Sequence, residues 1–170
     1  MSRLLIVVDM QNDFIDGSLG TEEARGIVPR VAARVSEYLA DGGEVIFTLD
    51  THGDDYPDTL EGKKLPVKHC LKGSRGWELC SELAEIEGKR FEKDTFGSRE
   101  CAEYVQKGNY SRIELVGLCT DICVISNAML LKAFVPQTPV QVNAACCAGV
   151  TPESHQNALK AMEMCQIEII

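Results

Sequence analysis

The sequence predicts an α/β fold: a doubly wound, open, parallel six-stranded sheet with helices on both faces. Three observations carry this expectation. Short apolar runs alternate with helix-period segments along the chain. The first run is continuously apolar rather than alternating, as expected of a strand buried on both faces. Acidic, basic and thiol side chains also follow the ends of several runs. Open parallel sheets bind ligands there, beyond the carboxyl ends of their strands.

The elements follow in order. Arg3 to Asp9 reads as a strand, because Leu4 to Val8 is an unbroken apolar run. Ile27, Val28, Val31, Val35, Tyr38 and Leu39 recur at helical spacing, and Gly42-Gly43 stops that helix. Glu44 to Asp50 is strand-like around Val45, Ile46 and Phe47. The polar connection from Thr51 to Gly73, with Pro57 and Pro66, is long enough to suggest a functional loop. Ser74 to Ile86 reads as helix, Arg90 to Lys93 as a short strand and Ser98 to Gln106 as helix. Arg112 to Gly117 is a strand. Thr120 to Phe134 is a helix, apolar around much of its circumference and expected to be well buried. Val140 to Ala145 is a strand. Thr151 and Pro152 open a further helix as N-cap and first residue, and Gln166 to Ile170 closes as the sixth strand. With no repeat or linker, residues 1–170 are expected to form one domain.

Composition narrows the function. A net charge of −9 argues against a nucleic-acid or anionic-membrane partner. No apolar run approaches the roughly 20 residues of a membrane span. The start of the chain lacks signal-peptide organisation, so a cytoplasmic location is expected. Eight cysteines are many for 170 residues. Their close pairs, Cys119/Cys123 and Cys146/Cys147, lack Cys-x-x-Cys zinc spacing. Cys80, Cys101, Cys147 and Cys165 are expected to be small buried apolar residues. There is no Gly-x-Gly-x-x-Gly after the first strand and no phosphate-binding loop.

The chemistry concentrates in Gly117-Leu118-Cys119-Thr120-Asp121-Ile122-Cys123, a strand-to-helix turn. Cys123 at the helix start is expected to be held as a thiolate by the helix field and free N–H groups. Asp9 and Lys93 end two other strands. Each alone has a bland reading, as a cap, a surface charge or a structural thiol; their joint placement is the specific signal. A second constellation is Asp50-x-His52, then Glu61, then His69. Carboxylates with imidazoles suit zinc, iron or manganese. His155 lies in the helix after Thr151 and is read as a packed or surface residue rather than a ligand.

Three segments resemble the isochorismatase-like cysteine hydrolases, and within them the nicotinamidases. They are Val7-Val8-Asp9-Met10-Gln11-Asn12-Asp13-Phe14, Phe91-Glu92-Lys93-Asp94-Thr95-Phe96 and Gly117-Leu118-Cys119-Thr120-Asp121-Ile122-Cys123-Val124. The resemblance spans essentially the whole chain and implies a Rossmann-like sheet. It implies Cys123 as nucleophile, Asp9 as proton acceptor and Lys93 as third member of a triad. It also implies a cis peptide before Cys119, with the Cys119 and Cys123 amides forming an oxyanion hole. It implies one divalent transition metal, zinc foremost with iron or manganese as alternatives, on Asp50, His52, His69 and Glu61. Phe14 becomes the expected aromatic wall of the substrate pocket, and a homo-oligomer is expected.

The chain departs from familiar nicotinamidases in Leu65 to Lys68, which carries no aromatic before His69; Trp77 follows eight residues after that histidine. The expected activity is conversion of nicotinamide to nicotinate and ammonia through a cysteine thioester. The alternatives are an amidase for another small amide or carbamoyl compound, and a non-catalytic metal- or thiol-binding protein on the same scaffold.

Overall fold

The computed structural model describes residues 2–170. Six parallel strands form one sheet: β1 (Ser2–Val8), β2 (Glu44–Asp50), β3 (Lys89–Lys93), β4 (Tyr110–Leu118), β5 (Val140–Ala148) and β6 (Glu168–Ile169). Their spatial order is β3-β2-β1-β4-β5-β6. The chain builds outward from β1 through β2 to β3, then returns to place β4 on the other side of β1. The order therefore reverses between β1 and β4, where such sheets open a crevice.

The helices are α1 (Asn12–Ile15), α2 (Glu22–Ala40), α3 (Leu60–Lys64), α4 (Ser81–Ala84), α5 (Arg99–Lys107), α6 (Ile125–Phe134) and α7 (Pro152–Met164). Leu4 to Val8 have no exposed surface. Leu4, Ile6 and Val8 join a core with Val105, Leu131 and Met162 from α5, α6 and α7. Leu5 and Val7 face the opposite way, against Ile27, Val31 and Val35 of α2. Burial on both faces explains why β1 shows no polar alternation. Gly117 (φ 118°) pairs with Val8 in register. A Cβ at Gly117 would collide with the Val8 carbonyl, so glycine lets β4 close on β1 beside the crevice.

Several expected boundaries change. Ser74 to Ile86 is not one helix; only α4 is helical there. The backbone before it is used elsewhere: Asn12 N donates to Glu78 O (3.0 Å), Asp13 N to Gly76 O (3.0 Å) and Cys80 N to Met10 O (2.9 Å). Pairing with the segment after β1 replaces helical hydrogen bonds. β5 runs past Ala145 to Ala148, with a register irregularity against β4, whereas β6 shrinks to two residues. The helix expected from Thr120 starts as a wide π-type turn, Thr120–Val124, and Met129 on α6 is 39% exposed. Cys80, Cys101 and Cys147 are buried as expected, but Cys165 is exposed at the end of α7. Among the described residues, no helix is long and apolar enough to cross a membrane.

Candidate active site

Asp9 is the residue directly after β1, at φ 47°, a conformation that Asp tolerates better than most side chains. Its N–H donates to Thr48 O (3.1 Å), and its Oδ1 accepts from Thr48 Oγ1 (2.7 Å). Lys93 ends β3, in register with Asp50 at the end of β2. Its ammonium is buried and lies 2.6 Å from Asp9 Oδ2, 3.3 Å from Asp50 Oδ1, 3.4 Å from Cys123 Sγ and 3.1 Å from Thr95 O. One cation therefore touches an acid from β1, an acid from β2 and the thiol that follows β4.

Burial works against the Lys93 charge, but the carboxylates of Asp9 and Asp50 outweigh it and raise its pKa. Lys93 stays an ammonium. Burial raises Asp9 above the ordinary carboxyl value, with Lys93 opposing. Asp9 Oδ2 makes no well-directed hydrogen bond beyond its ion pair, which leaves it an acceptor for a nearby proton. Burial and the Asp9 charge push the Cys123 thiol well above its ordinary value despite Lys93. Cys123 is only 5% exposed, so desolvation beside a carboxylate works against the thiolate that the field of a helix start would favour.

The Leu118–Cys119 peptide is cis. Cys119 O accepts from Ile122 N (3.1 Å) and Val124 N (3.0 Å), closing the wide turn that carries Cys123. Such π turns cluster at functional sites. Both Cys119 and Cys123 sit where a helix leaves backbone N–H groups without intrahelical acceptors.

Asp50, His52, Glu61 and His69 converge, each offering one donor atom within 4.8 Å of the others. Gln11 holds the end of β2 from both sides: its Oε1 accepts from Asp50 N and its Nε2 donates to Asp50 O, each at 2.8 Å. His52 N donates to Cys70 O (3.0 Å), and Asp13 Oδ2 accepts from Cys70 N (2.8 Å), which brings His69 beside His52. Thr59 caps α3 by accepting from Gly62 N (2.9 Å), which sets the direction of Glu61.

Asp50 Oδ2 lies 2.9 Å from His52 Nε2 and 3.2 Å from His69 Nε2. Glu61 Oε1 lies 3.8 and 3.7 Å from the same nitrogens. His69 Nδ1 donates to the Val67 carbonyl at 2.8 Å, which leaves the Nε2 lone pair for a ligand. Burial alone would raise Asp50, but the imidazoles of His52 and His69 beside it and the charge of Lys93 hold it below the ordinary carboxylate value. Burial and the Asp50 charge raise Glu61. Two imidazoles and two carboxylates, oriented by backbone and converging on one point, fit a divalent transition metal.

The Phe14 ring centroid lies 5.6 Å from that of His69, tilted by 58°. A cleft of about 640 Å³ opens over this cluster, with Tyr56, Leu65, Phe96 and Ile122 beside His52 and Glu61 in its walls. Trp77 lines a different hollow, with Leu49 and Leu79, and donates to Thr51 Oγ1 (2.9 Å). The structure thus brings together every candidate residue from the sequence: Asp9, Lys93, Cys119 and Cys123 at one place, with Asp50, His52, Glu61, His69 and Phe14 adjoining.

The isochorismatase domain family matches residues 3–170. The chain belongs to the isochorismatase family. A nicotinamidase/pyrazinamidase of Mycobacterium tuberculosis is 27% identical over 195 residues, spanning 99% of this chain and 98% of that protein. An isochorismatase family protein of Bacillus subtilis is 28% identical over 176 residues, spanning 94% of this chain and 93% of that one. Among solved structures, the pyrazinamidase of Pyrococcus horikoshii in complex with zinc superimposes with a TM-score of 0.86 at 25% identity, covering 100% of this chain and 99% of that one.

In this isochorismatase family member, several site residues escaped the sequence reading. Thr48 holds Asp9, the Tyr56 ring lies tilted against His52 with centroids 4.7 Å apart, and Asn127 braces the thiol turn. Phe96 and Ile122 could have been suspected from their places three residues after Lys93 and one before Cys123. Asn127 offered a weaker signal, a polar residue in a largely apolar helix.

Proposed function

We propose that this isochorismatase-family amidohydrolase is a nicotinamidase that hydrolyses nicotinamide to nicotinate and ammonia. The observation that carries the reading is Lys93, whose ammonium joins the Asp9–Cys123 pair to Asp50 and so fuses the thiol site to the histidine cluster.

In the proposed course, Cys123 Sγ attacks the carboxamide carbon while its proton passes to Asp9. The oxyanion is received by the Cys119 and Cys123 amides. Asp9 returns the proton to the departing ammonia, which leaves a thioester on Cys123. Water then attacks the acyl carbon, Asp9 takes one of its protons, and the thiolate leaves and recovers that proton. Lys93 stays charged throughout and offsets whichever neighbour is negative. Phe14 packs against the substrate ring. Asp50, His52, Glu61 and His69 would hold the divalent metal, for which zinc is the first choice, and bound there it would supply an acceptor for the pyridine nitrogen.

A second reading, an amidase for another small amide or carbamoyl compound, is favoured by the open cleft and by the absence of an aromatic in Leu65 to Lys68. Ammonia release measured across a panel of small amides, with and without added metal, separates the two. Nicotinamide turnover that disappears in Cys123→Ala supports the first reading. Turnover confined to another amide supports the second, and no turnover with any amide returns the protein to a binding role.

A further inference from the structure

We infer that His155 is a positioning residue for Cys123 and acts through Thr120. His155 Nδ1 lies 2.7 Å from Thr120 Oγ1. Thr120 is fully buried and opens the turn that carries Cys123 three residues later. Burial holds the His155 pKa below its ordinary value. A neutral ring with its proton on Nε2 offers the Nδ1 lone pair to the Thr120 hydroxyl proton.

The turn has reason to need an outside tie. Its N-cap residue, Cys119, provides no side-chain cap, so the usual local brace of a helix start is absent. At its end the turn is held by Asn127 on the Cys123 carbonyl; at its start the bracing comes from the corner between β5 and α7. The carboxylate of Asp121 accepts from Val150 N at 3.1 Å, and His155 takes Thr120 one residue earlier.

The corner is itself rigidly built. Thr151 and Ser154 form a reciprocal capping box that fixes the start of α7, and with it the place of His155. A Cβ at Gly149 would lie 2.8 Å from His155 N and 2.9 Å from its Cα and Cβ. Glycine therefore allows the first turn of α7 to press onto the end of β5.

The amides of Cys119 and Cys123 and the thiol belong to the turn that Thr120 opens, so a shift of Thr120 that displaces the turn carries them with it. Those groups must stay aligned with Asp9 and Lys93, which are held by other strands. A displacement of roughly 1 Å is enough to cost a large factor in rate. The inference rests on Cys123 being the reactive thiol but not on which amide it attacks.

The test compares His155→Asn, whose side-chain amide reaches the Nδ1 position, with His155→Gln, which reaches the Nε2 position, and with His155→Leu. Two readouts are used: kcat and KM for amide hydrolysis, and the rate of Cys123 alkylation by iodoacetamide followed by peptide mass spectrometry. His155→Leu and His155→Gln should lower kcat and the alkylation rate by about 10-fold or more, with KM little changed. His155→Asn should recover most of both rates, although all three variants remove the same ring.

Thr120→Val should reproduce the His155→Leu loss, and the double variant should be no slower than the worse single one. Equal rates in His155→Asn and His155→Gln, or independent multiplication of the Thr120 and His155 effects, would overturn the inference. Should the wild-type protein hydrolyse none of the amides tried, the nicotinamidase reading fails, while the alkylation rates still decide the role of His155.

Discussion

Asn127 Nδ2 donates to the Cys123 carbonyl at 2.8 Å, while Oδ1 of the same buried amide accepts from Ser98 N at 2.9 Å. Nδ2 also reaches Phe96 O at 3.2 Å. One side chain thus joins the turn bearing the thiol to the loop that follows Lys93, so two groups delivered by different strands keep their 3.4 Å separation. Asn127→Leu removes all three hydrogen bonds and strands buried backbone groups. It should destabilise the protein by about 2–3 kcal/mol and lower kcat as well. Urea unfolding read alongside turnover checks this; unchanged stability and rate would show that the bridge is dispensable.

Cys123→Ala should abolish amide hydrolysis, by more than about 1,000-fold, while leaving fold and metal content intact. Cys147 is equally buried but lies on β5, whereas Lys93 contacts the Cys123 thiol, so Cys147→Ala should retain turnover and cost only about 1 kcal/mol of stability. Mass spectrometry of the wild-type protein during slow turnover should find an acyl adduct on Cys123. Normal hydrolysis by Cys123→Ala would sink the thioester mechanism.

The Asp9–Lys93 pair sets the acid side of the activity. Asp9 must be ionised to take the thiol proton, and burial raises its pKa above the ordinary 3.8. Activity should therefore be lost with falling pH at a midpoint above 3.8. Lys93→Met removes the one nearby charge that opposes this rise, so the acid limb should move to higher pH and the maximum rate should fall. Asp9→Asn combined with Lys93→Met should be little worse than the poorer single variant, because the groups act as a unit. A pH–rate profile that is unmoved in Lys93→Met would reduce Lys93 to a structural charge.

Purified protein should carry about one divalent transition metal per chain, as mixed carboxylate–imidazole ligation predicts. His52→Ala should lose it and His155→Ala should not; elemental analysis decides. Removing the metal should weaken nicotinamide binding far more than it slows alkylation of Cys123, since the thiol is governed by Asp9 and Lys93. Metal-free protein with normal nicotinamide turnover would contradict the assignment.

Far from the site, Glu114 is buried in β4 and accepts from Arg34 Nε (2.8 Å), Arg34 Nη2 (2.6 Å), Tyr38 Oη (2.9 Å) and Asn143 Nδ2 (3.1 Å). Burial alone would raise its pKa, but these donors bring it below the ordinary 4.5. A lowered carboxyl pKa stabilises the fold fully above 4.5, and that contribution fades as pH falls through the lower folded value. Arg34→Met leaves a buried carboxylate without its cation and should cost about 3 kcal/mol at neutral pH. The difference from wild type should shrink as pH falls, because without its cation the buried Glu114 takes up a proton at a higher pH than in wild type. A loss of equal size at every pH, measured by denaturant unfolding, would assign the effect to packing alone.

What the sequence determined by itself was the alternation of strands and helices and the residues that end the strands. Apolar runs, caps such as Thr151 and strand-terminal Asp9, Asp50 and Lys93 are local features, and local backbone preferences follow from neighbouring residues. Even the grouping of Asp50, His52, Glu61 and His69 was legible as a ligand set. The tertiary structure decided what depends on distance through space. The Ser74–Ile86 segment gave up most of its expected helix because its backbone pairs with residues 10–13, which no local pattern announces. His155 looked inert because Thr120 lies 35 positions away in the chain, yet folding brings them to 2.7 Å. The upward push on the Cys123 thiol likewise follows from desolvation and from a carboxylate delivered after β1. Burial and Coulomb interactions act across the packed fold, so only the assembled sheet could set them.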